Sequence, residues 1–170
     1  MLTQKSFFNS LLVITLAQKI ISCFPDLRIF IIGDGPAKEE LQKTAKAADL
    51  DKIFFFLGTI SEPEKLAPYM RLTDFIILPG AVGLSIVHSF IYGIPFLTLE
   101  DAPHGPEVAY LRSDHNGYLA KDIDAMAEWL KKVFDDSSAR ATFRNNCLAT
   151  IRDEVNLINM VANFLHAFQE

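Results

Sequence analysis

Apolar positions in this chain come in short, dense runs: LRIFIIG at 27–33, KIFFFLG at 52–58, DFIILP at 74–79 and PFLTL at 95–99. Apolar residues hardly alternate with polar ones inside them, as expected of parallel strands covered on both faces by helices. Between the runs lie DGPAKEELQKTAKAADL at 34–50 and the stretches 62–71 and 83–92, whose composition is helical. Strand and helix alternating in this way predict an α/β fold with a Rossmann-like doubly wound parallel sheet.

The pattern differs at both ends. At the N-terminus Phe8, Leu12, Leu16 and Ile20 form a helical stripe interrupted by Asn9, Gln18 and Lys19, with no small-x-small cleavage site, which reads as a core helix rather than a signal peptide. Past residue 100 come the loop EDAPHGPE, a short helix, a turn marked by Asn116-Gly117, and a helical tail. Met126, Trp129, Leu130 and Val133 share one helical face and Ile158, Val161, Leu165 and Phe168 another, with Asp122 and Asn156 as N-caps. These helices are expected to pack over one end of the sheet.

A sheet of this kind normally begins with a strand, whereas this chain opens almost directly into a helix. The reading is therefore a fragment of a longer protein. In the strand order 3-2-1-4-5 the absent first strand is central, so its place is expected to show a gap, a closure of its neighbours or pairing with another chain. A complete strand formed by residues 1–5 contradicts that reading.

With 170 residues, half of them hydrophobic, the chain forms one core and one domain over 1–170. A formal charge of −5 argues against a broad nucleic-acid surface while leaving room for one local basic pocket. Cys23 and Cys147 lie far apart in segments of helical periodicity, without metal-ligand spacing, and read as buried free thiols in a reducing cytoplasm. The longest apolar stretch, 84–99, contains His88, Gly93 and Pro95 and is too short to span a bilayer.

Ligands of open α/β sheets sit beyond the carboxyl ends of the strands. The residues there are Gly33-Asp34-Gly35-Pro36, Gly58-Thr59, Pro79 to Gly83, and Glu100 to Glu107. In LPGAVGLSIVHSFIYGIP, at 78–95, Gly80 and Gly83 allow close backbone approach where the amides of Val82, Gly83 and Leu84 begin a helix, a setting that favours phosphate. The same two glycines also suit simple strand-to-helix packing. No GxSxG elbow or HExxH motif is present, and the four histidines are too scattered for a metal cluster.

Taken in order and spacing, IIGDGPAKEELQKTAKAADLDKIFFFLG, LAPYMRLTDFIILPG, VGLSIVHSFIYGIPFLTLED, HGPEVAYL and NGYLAKDIDAMAEWLKKVFDD resemble the C-terminal half of group 1 glycosyltransferases. The resemblance runs from about residue 5 to residue 135. It implies a GT-B architecture, in which this half binds a nucleotide-sugar donor and a separate N-terminal half binds the acceptor. That family carries two glutamates eight residues apart at the donor; aligned on Gly83-Leu84, their places are taken by Gly80 and His88. The VGLxxxH pattern resembles a variant of polysaccharide-assembly members.

The same resemblance implies roles for single residues. His88 contacts ribose or phosphate, unless it is a core histidine on the face of Leu84, Val87 and Ile91. Glu107, in HGPE, approaches the donor from the loop after a strand, unless it merely begins a helix behind Pro106. His104 shapes that loop and counts among the donor-binding residues with Gly80, Val82, Gly83 and Leu84, Lys5 contacts the diphosphate, and Gly33 and Gly35 lie near the base. Asp34 reads as a turn residue and helix N-cap.

The implied activity is retaining sugar transfer to a glycan or lipid-linked acceptor in cell-surface polysaccharide synthesis, with the leaving diphosphate taking the acceptor proton. His88 and Glu107 are then the catalytic candidates. No metal or other cofactor and no nucleic acid is implied. The location is cytoplasmic, with the whole protein peripheral at the inner face of the membrane. A noncatalytic nucleotide-binding module and a nucleotide-sugar epimerase are the alternatives.

Overall fold

The computed structural model describes the backbone of residues 4–155 and the side chains of residues 11–155. In chain order the elements are α1 (Gln4–Ile20), β1 (Ile29–Ile32), α2 (Lys38–Ala47), β2 (Phe54–Gly58), α3 (Pro63–Leu72), β3 (Ile76–Ile77), α4 (Ser85–Ile91) and β4 (Phe96–Leu99). A 3₁₀ turn (Pro106–Tyr110), β5 (Gly117–Ala120), α5 (Ile123–Val133) and α6 (Ser137–Asp153) follow. The four expected strands form inside their apolar runs but are shorter, β3 reduced to two residues.

The strands make two parallel sheets, β1-β2 and β3-β4-β5. Among the described residues no strand joins β1 to β3 and the two do not pair with each other, which leaves the centre of the sheet open. Gln4 and Lys5 already belong to α1, so residues 1–5 do not form a complete strand. In a parallel ladder alternate residues bond to opposite neighbours. Ile29 and Gly33 donate to β2, and Ile76 and Leu78 donate to the β4 side. The backbone groups of Phe30, Ile32, Phe75 and Ile77 therefore face the gap.

Both faces of the sheets are covered. Along β4, Phe96 packs with Ile86 and Phe90 of α4 and Cys147 of α6, while its neighbour Leu97 packs with Leu16 and Ile20 of α1 and Met126 and Leu130 of α5. Ile14 and Ala17 of α1 meet Leu41 and Ala45 of α2 over β1 and β2. On the opposite side of β1, Phe30 contacts Tyr69 of α3 edge-on. Helices α1, α2 and α5 thus lie on one face and α3, α4 and α6 on the other, which is the doubly wound arrangement. The expected face of α5 is buried at Met126, Trp129, Leu130 and Val133. Asp122 caps it, accepting from the amide of Ala125 at 2.7 Å. The helices α5 and α6 clothe the two faces rather than one end of the sheet.

Three further expectations are corrected. Asn116-Gly117 marks a turn, but Gly117 also opens a fifth strand missed in the sequence. A β-carbon there would lie 2.1 Å from the carbonyl oxygen of Phe96, so only glycine lets β5 approach β4. Cys23 is exposed, because α1 ends at Ile20 and the cysteine falls in the turn before Phe24 and Pro25. Asp34 does not cap α2, whose preceding residue is Ala37. It braces two loops instead, accepting from Lys38 Nζ at 2.5 Å and from the amide of Thr59 at 3.1 Å. The Asn156 cap and the 158–168 face lie outside the described residues.

Buried Asn116 ties the 110–117 loop to α6: its Oδ1 accepts from the amide of Arg112, and its Nδ2 donates to the carbonyl of Tyr110 and to Thr150 Oγ1. Arg112 adds a bidentate pair to Glu154.

Two predictions follow from the packing. Hydrogen exchange is expected to be faster at the amides of Phe30, Ile32 and Ile77 than at Ile31 and Ile76; equal protection in the monomer contradicts an open gap. Burial pushes the Cys147 thiol up to about 12. An aromatic disulfide reagent at pH 8 is therefore expected to modify one thiol per native chain, and none in Cys23→Ser until denaturant is added.

Candidate functional site

The segments that follow β3 and β4 converge. The turn after β3 is fixed from beneath: the amide of Gly80 donates to the carbonyl of Leu78 at 2.8 Å, and the buried hydroxyl of Thr98 on β4 donates to the carbonyl of Gly80 at 3.2 Å. The loop after β4 is laid against this turn, with the amide of Gly105 donating to the carbonyl of Val82 at 2.7 Å. His104 pins the same loop to the end of β4 through Nε2, 2.7 Å from the carbonyl oxygen of Leu99.

These contacts set Glu107 over the glycine turn. Its Oε2 lies 3.6 Å from where a β-carbon on Gly83 would stand and 2.6 Å from the corresponding point on Gly105. Glu107 is therefore folded back across two glycines. No hydrogen bond is made by its carboxylate or by the amides of Val82, Gly83 and Leu84. A turn with unbonded donors and one adjacent carboxylate can take an anionic group and a hydroxyl-bearing group side by side.

The other expected residues stand further apart. His88 is exposed on α4 with Leu84 (62% exposed) and Ile91 (52%), so the buried core histidine is not what the structure shows. That face of α4 turns outward because Ile86, Ser89 and Phe90 take the inward positions. Gly33, with φ of 128° and open space beside it, and Gly35 follow β1 and so belong to the other sheet. Asp34 between them has its carboxyl held below the usual range by Lys38 and then by the amide of Thr59. Lys5 lies in the first turn of α1, its side chain outside the described residues.

Two residues of this region escaped the sequence reading. Thr98 carried a signal, being a polar side chain inside an apolar strand. Ser85 carried none: its Oγ is shielded from solvent without a hydrogen-bond partner, as is Nδ1 of His104. Among the described residues, no group of three or more His, Cys, Asp or Glu side chains is arranged to hold a metal. A cleft of about 180 Å³ lined by Thr73, Asp74, Gly93, Pro95, Arg140 and Arg144 lies at the opposite end of the strands, since Thr73 and Asp74 precede β3 and Gly93 and Pro95 precede β4. Topology places the site at the glycine turn and not in that cleft.

A doubly wound parallel sheet with paired loops at its carboxyl end is a Rossmann-like α/β domain. The chain belongs to the family of group 1 glycosyl transferases, whose profile matches residues 9–148. It is similar to the poly(ribitol-phosphate) alpha-N-acetylglucosaminyltransferase of Staphylococcus aureus, with 21% identity over 159 residues, 92% of this chain and 32% of that protein. Its fold matches a structure of S. aureus TarM in complex with fondaparinux, alpha-GlcNAc-glycerol and UDP, with TM-score 0.81, 20% identity, and coverage of 100% of this chain and 34% of that one. It also matches the C-terminal domain of the group 1 glycosyl transferase LpcC from Francisella tularensis, with TM-score 0.74, 22% identity, and coverage of 92% and 83%. The chain spans about a third of the length of the curated relatives it matches, 32% and 34%.

The geometry distinguishes two glycines. Gly105 has ordinary dihedrals, φ −72° and ψ 171°, so alanine suits the backbone conformation there, but its β-carbon would lie 2.6 Å from the movable end of Glu107 and, tightly, 3.3 Å from the carbonyl oxygen of Val82. Gly105→Ala is expected to shift Tm by less than about 3 °C and to displace the Glu107 side chain in a crystal structure. Gly83→Ala meets only a contact at 3.6 Å and is expected to leave Glu107 in place.

Proposed function

We propose that this chain is the donor-binding domain of a retaining glycosyltransferase that moves a sugar from a nucleoside diphosphate to a glycan or lipid-linked acceptor. The observation that carries the reading is the hydrogen bond between Gly105 and Val82, which brings the HGPE loop onto the VGL turn. On this reading the free amides of Val82, Gly83 and Leu84 receive the diphosphate and Glu107 receives a hydroxyl of the donor. His88, exposed one turn along α4, supplies a further contact to ribose or phosphate on this reading. The diphosphate leaving group takes the acceptor proton, and no metal or other cofactor enters the scheme.

The acceptor is held by a separate N-terminal half, so the isolated domain binds donor without transferring sugar. Cell-surface polysaccharide synthesis at the cytoplasmic side of the membrane is the setting this proposal implies. It is supported by the similarity to a poly(ribitol-phosphate) N-acetylglucosaminyltransferase. Among the described residues no helix is long and apolar enough to cross a membrane.

A noncatalytic nucleotide-binding module is the second reading, favoured by Gly80 and His88 standing where two glutamates are expected. Calorimetric titration with UDP, GDP, dTDP and ADP tests the common part. One nucleoside diphosphate is expected to bind selectively, and the corresponding nucleotide sugar is expected to bind Glu107→Ala about tenfold or more weakly than the parent chain, the size of a lost hydrogen bond to a charged group. Absence of binding by all four to the full-length protein overturns the donor reading. Binding without sugar transfer by that protein favours the noncatalytic one.

A further inference from the structure

Buried polar side-chain atoms are nearly always hydrogen-bonded, so those left without a partner mark places where something is missing. Among the described residues three such atoms occur: Ser85 Oγ, His104 Nδ1 and Arg140 Nε. Arg140 already pairs with Asp74 at 2.8 Å and lies over the Phe134 ring, so its environment is accounted for by the protein itself. The other two belong to the glycine turn and the loop laid against it.

The chemistry of His104 is fixed by its other nitrogen. A carbonyl oxygen only accepts, so Nε2 at 2.7 Å from the carbonyl of Leu99 carries the proton. In the neutral ring Nδ1 is then an acceptor, and it needs a donor that no neighbouring group supplies. A phosphate oxygen without a proton cannot serve. A hydroxyl can, and the same hydroxyl class can accept from or donate to Ser85 Oγ.

We propose that His104 Nδ1 and Ser85 Oγ are specificity-determining contacts that recognise hydroxyl groups of the bound donor, through a small shift of the 100–107 loop that uncovers them. This rests on the donor-site reading and sharpens it. The turn amides discriminate for an anion, whereas His104 discriminates for a hydroxyl. Residue 104 thus has two separable tasks, with Nε2 positioning the loop and Nδ1 reading the ligand.

The test uses the chain labelled with ¹⁵N at its histidine ring nitrogens, titrated with UDP and with UDP-GlcNAc and followed in parallel by calorimetry. The Nδ1 resonance of His104 is expected to shift on binding while Nε2 stays protonated. A shift with UDP assigns the contact to the nucleotide, lost with 2′,3′-dideoxy-UDP if a ribose hydroxyl makes it, and a shift only with UDP-GlcNAc assigns it to the transferred sugar. His104→Gln keeps a donor for the Leu99 carbonyl but lacks the Nδ1 acceptor. It is expected to retain Tm and to lose about fivefold in affinity for the ligand that shifts Nδ1, and Ser85→Ala is expected to lose a similar factor. Nucleotide binding with an unmoved Nδ1 resonance and unchanged affinity in both variants overturns the proposal while leaving the donor reading intact. Where the four-nucleotide titration selects another base, that diphosphate and its sugar replace UDP and UDP-GlcNAc, and absence of binding by all four nucleotides to the full-length protein overturns both.

Discussion

Helix α1 is the element on which the arrangement of the rest depends. The two sheets share no strand ladder, so backbone hydrogen bonding does not join them. The helix carries two adjacent apolar stripes: Ile14 and Ala17 enter the cluster over β1 and β2, while Leu16 and Ile20 enter the cluster over β4 and β5. Burying three large aliphatic side chains contributes on the order of 5–9 kcal/mol as an upper estimate. That is the same size as the net stability of an ordinary domain, about 5–15 kcal/mol. A non-directional apolar contact therefore does here what directional ladder bonds do in an unbroken sheet.

This has consequences for the candidate site, because its parts hang on different sheets. Gly33 and Gly35 follow β1, whereas the 80–84 turn and the 104–107 loop follow β3 and β4. Within the second group the geometry is fixed by short bonds through Thr98, Gly105 and His104. Between the groups it is fixed by side-chain packing, through α1 and through contacts such as Phe30 with Tyr69 and Phe24 with Phe134. The phosphate and hydroxyl contacts proposed above all fall on the bonded side, so they do not depend on how the gap is filled. A contact from Gly33 or Gly35 to the same ligand does.

The fold was legible where the physics is local. Dense apolar runs gave the strand positions, and the period of α5 gave its buried face, because burial on two faces and on one stripe leave different patterns. The fifth strand was not legible: GYLA is short, and the reason for Gly117 is a neighbouring carbonyl in β4 that no pattern in the sequence records. Asp34 looked like a cap because it precedes a helical stretch, but its partner Thr59 is distant in sequence. His88 shares its face with apolar residues, which argued for burial; the inward positions of α4 were already filled by Ile86, Ser89 and Phe90. In the site, glycines and the HGPE loop were visible as residue types, whereas the orphaned atoms of Ser85 and His104 exist only once the loops are folded together.

Those loops also bear on the missing carboxylates. Gly80 cannot substitute for a glutamate, and its own amide and carbonyl are committed to Leu78 and Thr98. A carboxylate is nevertheless present at the turn, brought by Glu107 from the next loop to within 3.6 Å of the β-carbon position of Gly83. Placed beside unbonded amides, that charge repels an anion set directly against it and attracts a hydroxyl. A ligand satisfies both neighbours only if its anionic and hydroxyl-bearing parts lie on different sides of the turn. A nucleoside diphosphate sugar has that division built in, with the diphosphate between two polyhydroxyl groups, and a simple phosphate or a simple sugar does not.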